Sequence, residues 1–165
     1  VFAIDVDGDG DIDVLSASFN DDKIAWYEND GSEVFTEHTI STAANGAASV
    51  FSIDVDGDGD IDVLSASRLD DKIAWYENDG SEVFTEHTIT TTADYAHSVF
   101  AIDVDGDGDI DVLSASEFDD KIAWYENDGS EVFTEHTIST TADRANSVFA
   151  IDLDGDGDID VLSAS

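Results

Sequence analysis

Hydrophobic and polar residues alternate over short stretches along the whole chain, which is the pattern of half-buried β-strands. These stretches are rich in the β-branched and aromatic residues that are enriched in strands. The first 40 residues contain four of them: VFAIDV, DVLSAS, KIAWYE and VFTEHTI. Turn residues separate them: an Asp/Gly loop, then Asp21 and Asp22, then Asn29 to Gly31, where Gly accepts a positive φ. No stretch favours a long amphipathic helix.

The same pattern recurs with a fixed period. Phe2, Phe51, Phe100 and Phe149 follow one another at intervals of 49 residues, and a period of this length indicates a repeat architecture. We predict three complete units and a partial unit that contains only the first two strands. The predicted units are residues 1–49, 50–98, 99–147 and 148–165.

The predicted fold is all-β, with blades of a β-propeller built from four antiparallel strands each. Ile24 and Trp26 lie on one face of a strand and Ala25 and Tyr27 on the other, so the sheets are expected to be covered on both faces. Stacked four-stranded sheets with a period of about 40–50 residues are typical of propellers. Three blades plus two strands are fewer than the ~4–8 blades of a closed ring. We expect the chain to be a piece of something longer, and either it belongs to a longer tandem array, or several copies close a ring together, or the units propagate without closing.

An acidic loop follows the first strand of every unit, with aspartates at every second position. Carboxylates about 6 Å apart repel one another by roughly 0.7 kcal/mol per pair even at the dielectric constant of water. A hard divalent cation reverses the sign of these interactions. Ligation by carboxylate and carbonyl oxygens alone favours calcium over zinc or copper.

The loop spacing D-x-D-x-D-G-x-x-D assigns a role to each position. Positions one, three, five and nine supply side-chain ligands, position seven supplies its backbone carbonyl, and Gly10 at position six allows the sharp reversal. An EF-hand requires Glu at position twelve between two helices, whereas this position is Ser16 within a predicted strand. We therefore predict one Ca²⁺ per loop and up to four in the chain. The predicted metal-binding residues are Asp5, Asp7, Asp9, Asp11, Asp13, Asp54, Asp56, Asp58, Asp60, Asp62, Asp103, Asp105, Asp107, Asp109, Asp111, Asp152, Asp154, Asp156, Asp158 and Asp160.

Unit and loop together resemble the FG-GAP/VCBS repeats of integrin-alpha-type propellers. The resemblance rests on SVFAIDVDGDGDIDVLSAS and KIAWYENDG, covers the whole chain, and extends to tandem repeats of large secreted bacterial proteins. It implies calcium between the first two strands of each blade and a ring that usually has seven blades. It also implies an extracellular location, secreted or at the cell surface, where millimolar calcium suits dissociation constants on the order of 10⁻⁴ to 10⁻³ M.

The composition narrows the range of partners. The chain has 41 acidic and five basic side chains, a formal net charge of −36, so nucleic acid and anionic membranes are repelled. No run approaches the ~18 apolar residues of a membrane span. Cysteine is absent, which excludes disulfides and thiolate metal sites. We expect neither a nucleic-acid partner nor membrane insertion.

The units differ at a few positions, which lie after the second and fourth strands. In an up-and-down blade these two connections emerge at one end and the acidic loop emerges at the other. We therefore predict a variable-loop face opposite the calcium sites, where a protein or glycan ligand binds, because aromatic and Arg side chains carry much interface energy. The candidate contact residues are Phe19, Arg68, Leu69, Tyr95, His97, Phe118 and Arg144.

One histidine and one tryptophan recur in every complete unit. A single His per blade without a second His or a Cys is interpreted as an ordinary strand residue rather than a metal ligand. The tryptophans are predicted to pack between blades rather than to form sugar platforms. The histidines are His38, His87 and His136, and the tryptophans are Trp26, Trp75 and Trp124.

The motifs favour a binding or structural function over an enzymatic one. The sequence contains no Ser/His/Asp set, no Cys/His pair and no phosphate-binding Gly loop, so no enzymatic activity is predicted. The predicted function is a calcium-stabilised repeat module with a structural or protein/glycan interaction role, as in cell adhesion. The alternatives are a lectin, the repeating subunit of an extracellular polymer or filament, and a propeller fragment of a polysaccharide-degrading enzyme.

Overall fold

The structure is a computed structural model that describes residues 1–165. It contains 14 β-strands, and no helix long and apolar enough to cross a membrane is present. The strands are β1 (Phe2–Ile4), β2 (Asp13–Ser18), β3 (Lys23–Asn29), β4 (Phe35–Ser41), β5 (Ala47–Ile53), β6 (Asp62–Ser67), β7 (Lys72–Asn78), β8 (Phe84–Thr90), β9 (Ala96–Ile102), β10 (Asp111–Ser116), β11 (Lys121–Asn127), β12 (Phe133–Ser139), β13 (Ser147–Ile151) and β14 (Asp160–Ala164).

The strands form three four-stranded sheets and one two-stranded sheet, all antiparallel. The orders are β1-β2-β3-β4, β5-β6-β7-β8 and β9-β10-β11-β12, followed by β13-β14. Each sheet is therefore an up-and-down blade in which neighbours in sequence are neighbours in space. This confirms the predicted all-β class, with three complete blades and the first two strands of a fourth. No sheet closes on itself.

The first strand of each blade differs from the predicted one at its end. The predicted strand continued to Val6, but β1 ends at Ile4. The reason is local, because the backbone N–H of Val6 donates to the Asp13 carboxylate at 2.9 Å instead of to a neighbouring strand. The later first strands also begin earlier than predicted, at Ala47 and Ala96.

The hydrophobic core lies between the blades, and the middle blade is buried on both faces. Trp75 packs in one cluster with Tyr125 of the third blade. Tyr76, the next residue along the strand, packs in another cluster with Trp26 of the first blade. The predicted two-sided packing is therefore confirmed, and so is the position of these tryptophans between blades; Trp26 and Trp75 are each 2% exposed.

The first strands of neighbouring blades lie innermost, since β5 contacts β1 and β9, and β9 contacts β13. One phenylalanine from each of them forms a continuous column. Neighbouring ring centroids are 4.7, 4.7 and 4.8 Å apart, with tilted ring planes. Because the repeat places an aromatic ring at the same height in every blade, the column joins all four blades. Its members are Phe2, Phe51, Phe100 and Phe149.

The loops lie at two opposite ends of the blades. At one end the Asp13 carboxylate joins the acidic loop to Asn29, which precedes the β3–β4 hairpin. At the other end the β2–β3 loop meets the connection to the next blade, where the N–H of Ala44 donates to the carbonyl of Asp22 at 3.2 Å. The acidic loops and the variable loops therefore lie at opposite ends, as the sequence predicts.

Candidate metal centres

Each acidic loop is closed by hydrogen bonds from its own backbone to its first aspartate. In the first loop the N–H of Gly8 donates to Asp5 Oδ1 at 2.8 Å, and the N–H of Gly10 donates to Asp5 Oδ2 at 3.0 Å. Both glycines have positive φ, +75° and +97°, which side chains other than Gly adopt at a cost. The same bonds recur in the other three loops. The sequence therefore preorganises the loop without help from distant residues.

Three carboxylates of each loop converge. Each offers one oxygen atom, and the three oxygens lie within 4.8 Å of one another. Calcium–oxygen distances of about 2.3–2.6 Å separate opposite ligands by about 4.6–5.2 Å, so one calcium ion fits each set. The donors are carboxylate oxygens only, which suits a hard cation. The convergent sets are Asp5, Asp7 and Asp13; Asp54, Asp56 and Asp58; Asp103, Asp105 and Asp111; and Asp152, Asp154 and Asp160.

The aspartate at position nine joins the loop to the body of the blade. In the second blade Asp62 is fully buried, and it accepts hydrogen bonds from the N–H groups of Val55 at 2.9 Å and Asn78 at 2.8 Å. Burial raises the pKa of Asp62 to about 6 despite these bonds. Burial also raises the pKa of Asp111, its equivalent in the third blade. These carboxylates therefore carry a charge that the surrounding protein does not fully stabilise.

The pKa of the aspartate at position three is raised in a similar way. Burial raises the pKa of Asp7, and the negative charges of Asp9, Asp13 and Asp5 raise it further. The pKa of Asp56 is raised for the same reasons in the second loop. A cation among these oxygens would relieve both effects, since it stabilises the charged carboxylates.

The remaining predicted ligands lie outside the convergent sets. The side chain at position seven turns toward the hairpin between the third and fourth strands of its blade: in the second blade, a Cβ placed on Gly80 of the β7–β8 hairpin would lie 2.5 Å from Asp60 Oδ2. The backbone role predicted for position seven remains a prediction, as do the ligand roles of the other residues outside the sets. These residues are Asp9, Asp11, Asp60, Asp62, Asp107, Asp109, Asp156 and Asp158.

A glutamate that the sequence analysis did not identify also lies near the loop. Glu28 lines a cavity of about 390 Å³ together with Asp7, Asp9 and His38. His38 Nε2 lies 2.7 Å from Glu28 Oε2, and its ring stacks on Trp26 at 4.6 Å. The pair recurs in the second and third blades. Only the repeat of these glutamates at the 49-residue period marks them in the sequence, because their neighbours come from the acidic loop and the fourth strand.

Six of the seven candidate residues of the variable-loop face also come together, all except Arg144. They lie at the end opposite the aspartates, in loops except for His97 near the start of β9, and contacts link neighbouring members across blade boundaries. Arg144 pairs with Glu117 through two hydrogen bonds, one of them from Nε at 2.9 Å. The loops from three blades therefore form one connected surface.

Comparison with known families matches the chain three times to one family model. The model is described as FG-GAP-like repeat, and the matched residues are 5–65, 54–114 and 103–163. Each match runs from the first aspartate of one loop into the second strand of the next blade, so that the matches overlap and together extend over residues 5–163. No curated protein matches the chain.

Proposed function

Because the chain belongs to the FG-GAP-like repeat family, we propose that it is a calcium-stabilised repeat module with an interaction role in a secreted or cell-surface protein. The observation that carries the proposal is the convergence of three carboxylate oxygens within 4.8 Å in every loop. Positions one, three and nine converge in three loops and positions one, three and five in the second, whereas the side chains of solvated turns have no reason to converge.

The calcium ion would link parts of the blade that are distant along the chain. The convergent aspartates would hold it, and the buried position-nine carboxylate already reaches both the loop and the third strand. Bound calcium would supply positive charge that the few basic side chains of this acidic chain do not provide. Four ions would bring the formal charge from −36 to −28, which reduces the self-repulsion that opposes a compact state.

The extracellular assignment rests on the family and on the chemistry of the loops. Millimolar calcium outside cells would occupy sites of modest affinity. The proposal assigns no reaction to the chain, and its interaction role belongs to the variable-loop face rather than to the calcium loops, which act as scaffolding.

Thermal unfolding tests the calcium proposal. The melting temperature is measured in EDTA, in millimolar calcium and in millimolar magnesium at constant ionic strength. Calcium at about ten times its dissociation constant should add about 1.4 kcal/mol for each occupied site, with a much smaller effect of magnesium, which demands octahedral geometry. Replacing Asp7 and Asp56 by Asn should reduce the calcium effect. An unchanged melting temperature in calcium would contradict the proposal.

A second candidate role is the repeating unit of a larger assembly, and exposed apolar side chains at both outer blades support it. Leu162 of β14 is 38% exposed, whereas its equivalents Leu64 and Leu113 are fully buried by the next blade. Tyr27 of the first blade is partly exposed, whereas Tyr76 is 1% exposed. Further repeats or further copies would cover these faces. Sedimentation in calcium tests self-assembly of this chain: assemblies larger than one chain support it, and a single monomeric species argues against it.

A further inference from the structure

Arg68 is the one basic side chain that lacks an acidic partner. The three lysines and Arg144 each have a carboxylate oxygen within 4.0 Å, and Arg68 has none, in a chain with 41 acidic residues. Its guanidinium instead lies 5.8 Å from the ring centre of Phe19 and 5.1 Å from that of Tyr95. Nε is buried without a hydrogen-bond partner, and a terminal nitrogen contacts His97 Nε2. Most of the guanidinium donors are therefore unused.

The aromatic rings beside Arg68 belong to one continuous surface. Tyr95 stacks on Phe118 with a centroid distance of 4.3 Å and an interplanar angle of 10°. Leu69 and Phe19 both pack over Gly46, since a Cβ there would lie 2.7 Å from Leu69 Cγ and 3.2 Å from Phe19 Cε2. We call this surface the rim strip, and it consists of Phe19, Arg68, Leu69, Tyr95, His97 and Phe118.

The rim strip exposes large apolar side chains to solvent, and this exposure does not stabilise the protein. Phe19 is 39% exposed, Leu69 55% and Phe118 62%. Leu69 and Phe118 occupy the same position of the repeat, and the first unit has a polar residue there, Asn20. A polar side chain is therefore compatible with this position of the blade, and the aromatic and aliphatic side chains are not required by the fold.

Tyr95 occupies a strained backbone conformation. Its φ is 60°, in the left-handed region, as is that of its equivalents Gly46 in the first unit and Arg144 in the third, with φ 68° and 58°. A side chain in this region costs on the order of 1–2 kcal/mol, and such strain concentrates at functional sites. The second unit therefore places a tyrosine on the rim strip where glycine would be more stable.

We propose that the rim strip binds a neutral oligosaccharide. The exposed ring of Phe118 offers a flat apolar face to the C–H face of a sugar ring, and the terminal nitrogens of Arg68, rather than its buried Nε, offer hydrogen bonds to its hydroxyl oxygens. A formal charge of −36 repels acidic polymers, whereas an uncharged sugar is not repelled. This inference rests on the proposed function, because it assigns the interaction role to one surface and one ligand class.

The size of the rim strip favours a sugar over a protein. Stable protein–protein interfaces bury about 800 Å² on each partner, with about 20–30 residues a side. The rim strip has six residues, of which three expose large apolar side chains. Such a surface matches a ligand of a few sugar rings.

The repeat supplies matched variants for the test. Arg68→Phe, Phe118→Asn and Tyr95→Gly each install the residue that the first unit has at the same position. Tyr95→Gly removes the left-handed strain, so a loss of binding in this variant does not follow from unfolding. Val132→Asn is the control, because Val132 is 58% exposed on the hairpin at the opposite end.

Binding is measured by titration calorimetry with the whole chain in millimolar calcium. The probes are neutral gluco-, manno-, galacto- and xylo-oligosaccharides, with oligogalacturonate as the acidic counterpart. We expect a neutral oligosaccharide to bind, the three rim-strip variants to weaken it at least tenfold, and Val132→Asn to leave it unchanged. Absence of binding to every neutral probe, tighter binding of oligogalacturonate, or full affinity in Phe118→Asn and Arg68→Phe would each overturn the inference.

The same samples separate this inference from the calcium proposal. Calcium-dependent melting is recorded before each titration. A calcium shift without sugar binding removes only the sugar site, and sugar binding without a calcium shift removes only the metal role.

Discussion

The backbone N–H of Asn78 donates a hydrogen bond of 2.8 Å to the carboxylate of Asp62. The other oxygen of that carboxylate accepts from Val55 in the acidic loop, so one side chain ties the loop to the end of the third strand. The same relationship holds in the first and third blades. In the two-stranded fourth unit, Asp160 is exposed and accepts only from Leu153.

Replacing Asp62 by Ala should destabilise the protein by about 2 kcal/mol in calcium. The substitution leaves two buried N–H donors without partners, each at a cost of about 1–3 kcal/mol, and relief of the buried charge offsets part of the loss. Asp160→Ala is the matched control and should cost less, because its carboxylate is exposed. The free energy of unfolding in urea checks both values; equal losses would contradict the anchoring role.

The metal-free protein should become less stable as the pH rises from 4 to 7. The folded-state pKa of Asp62 is about 6, above the ordinary aspartate value of 3.8, so the folded protein binds more protons than the unfolded chain between these values. Its stability therefore falls as pH rises through this window, by about 3 kcal/mol for a shift of this size. Asp111 contributes in the same direction.

Melting temperatures in EDTA at a series of pH values measure this slope. Asp62→Asn cannot titrate and should flatten it. Calcium should reverse it, because protons compete with the cation for the same carboxylates. A melting temperature in EDTA that rises steadily from pH 4 to 7 would rule out the unfavourable burial of these charges.

Two glycines with similar positive φ should respond differently to alanine. Gly57, with φ +77°, has no atom within 4 Å of a built Cβ, so Gly57→Ala should cost only the left-handed strain of about 1 kcal/mol. At Gly46, with φ +68°, the new Cβ would lie 2.7 Å from Leu69 Cγ, so the same substitution should cost about 1 kcal/mol more. Chemical denaturation in calcium compares the two. Similar losses would mean that Leu69 moves aside freely.

Lys72→Met should destabilise the protein more than Lys23→Met. Lys72 Nζ lies 2.7 Å from Glu86 Oε1 and also donates to the carbonyl of Ala43 at 3.2 Å, which joins it to the preceding blade's connection. Its side chain is 10% exposed, so loss of the ammonium leaves a partly buried carboxylate unpaired, at a cost of about 2 kcal/mol. Lys23 Nζ lies 2.7 Å from Glu37 and 3.8 Å from Asp21, both in its own blade, and its side chain is more exposed, at 20%. Urea denaturation of both variants tests the difference, and an equal loss would show that the inter-blade bond adds nothing.

Local interactions explain why much of this fold was predictable. The turn at Gly31, the alternation of Ile24 and Trp26, and the Asp5 to Gly10 hydrogen bond all connect residues close in sequence. The end of the first strand was predicted wrongly because Val6 donates to a side chain seven residues ahead. Alternation alone carries no information about a hydrogen bond of this kind.

The sequence by itself determined the repeat, the strand class and the positions of the loop aspartates, because period, propensity and turn chemistry act within a few residues. Only the tertiary structure decided that Asp62 accepts a hydrogen bond from the backbone of Asn78 and that Glu28 lies beside the acidic loop. It also decided that Arg68 lies beside two aromatic rings and has no carboxylate partner. Stacking of the blades brings loops from different units together, so Arg68 lies beside both Phe19 and Tyr95, and Tyr95 stacks on Phe118, although the three rings lie in different loops.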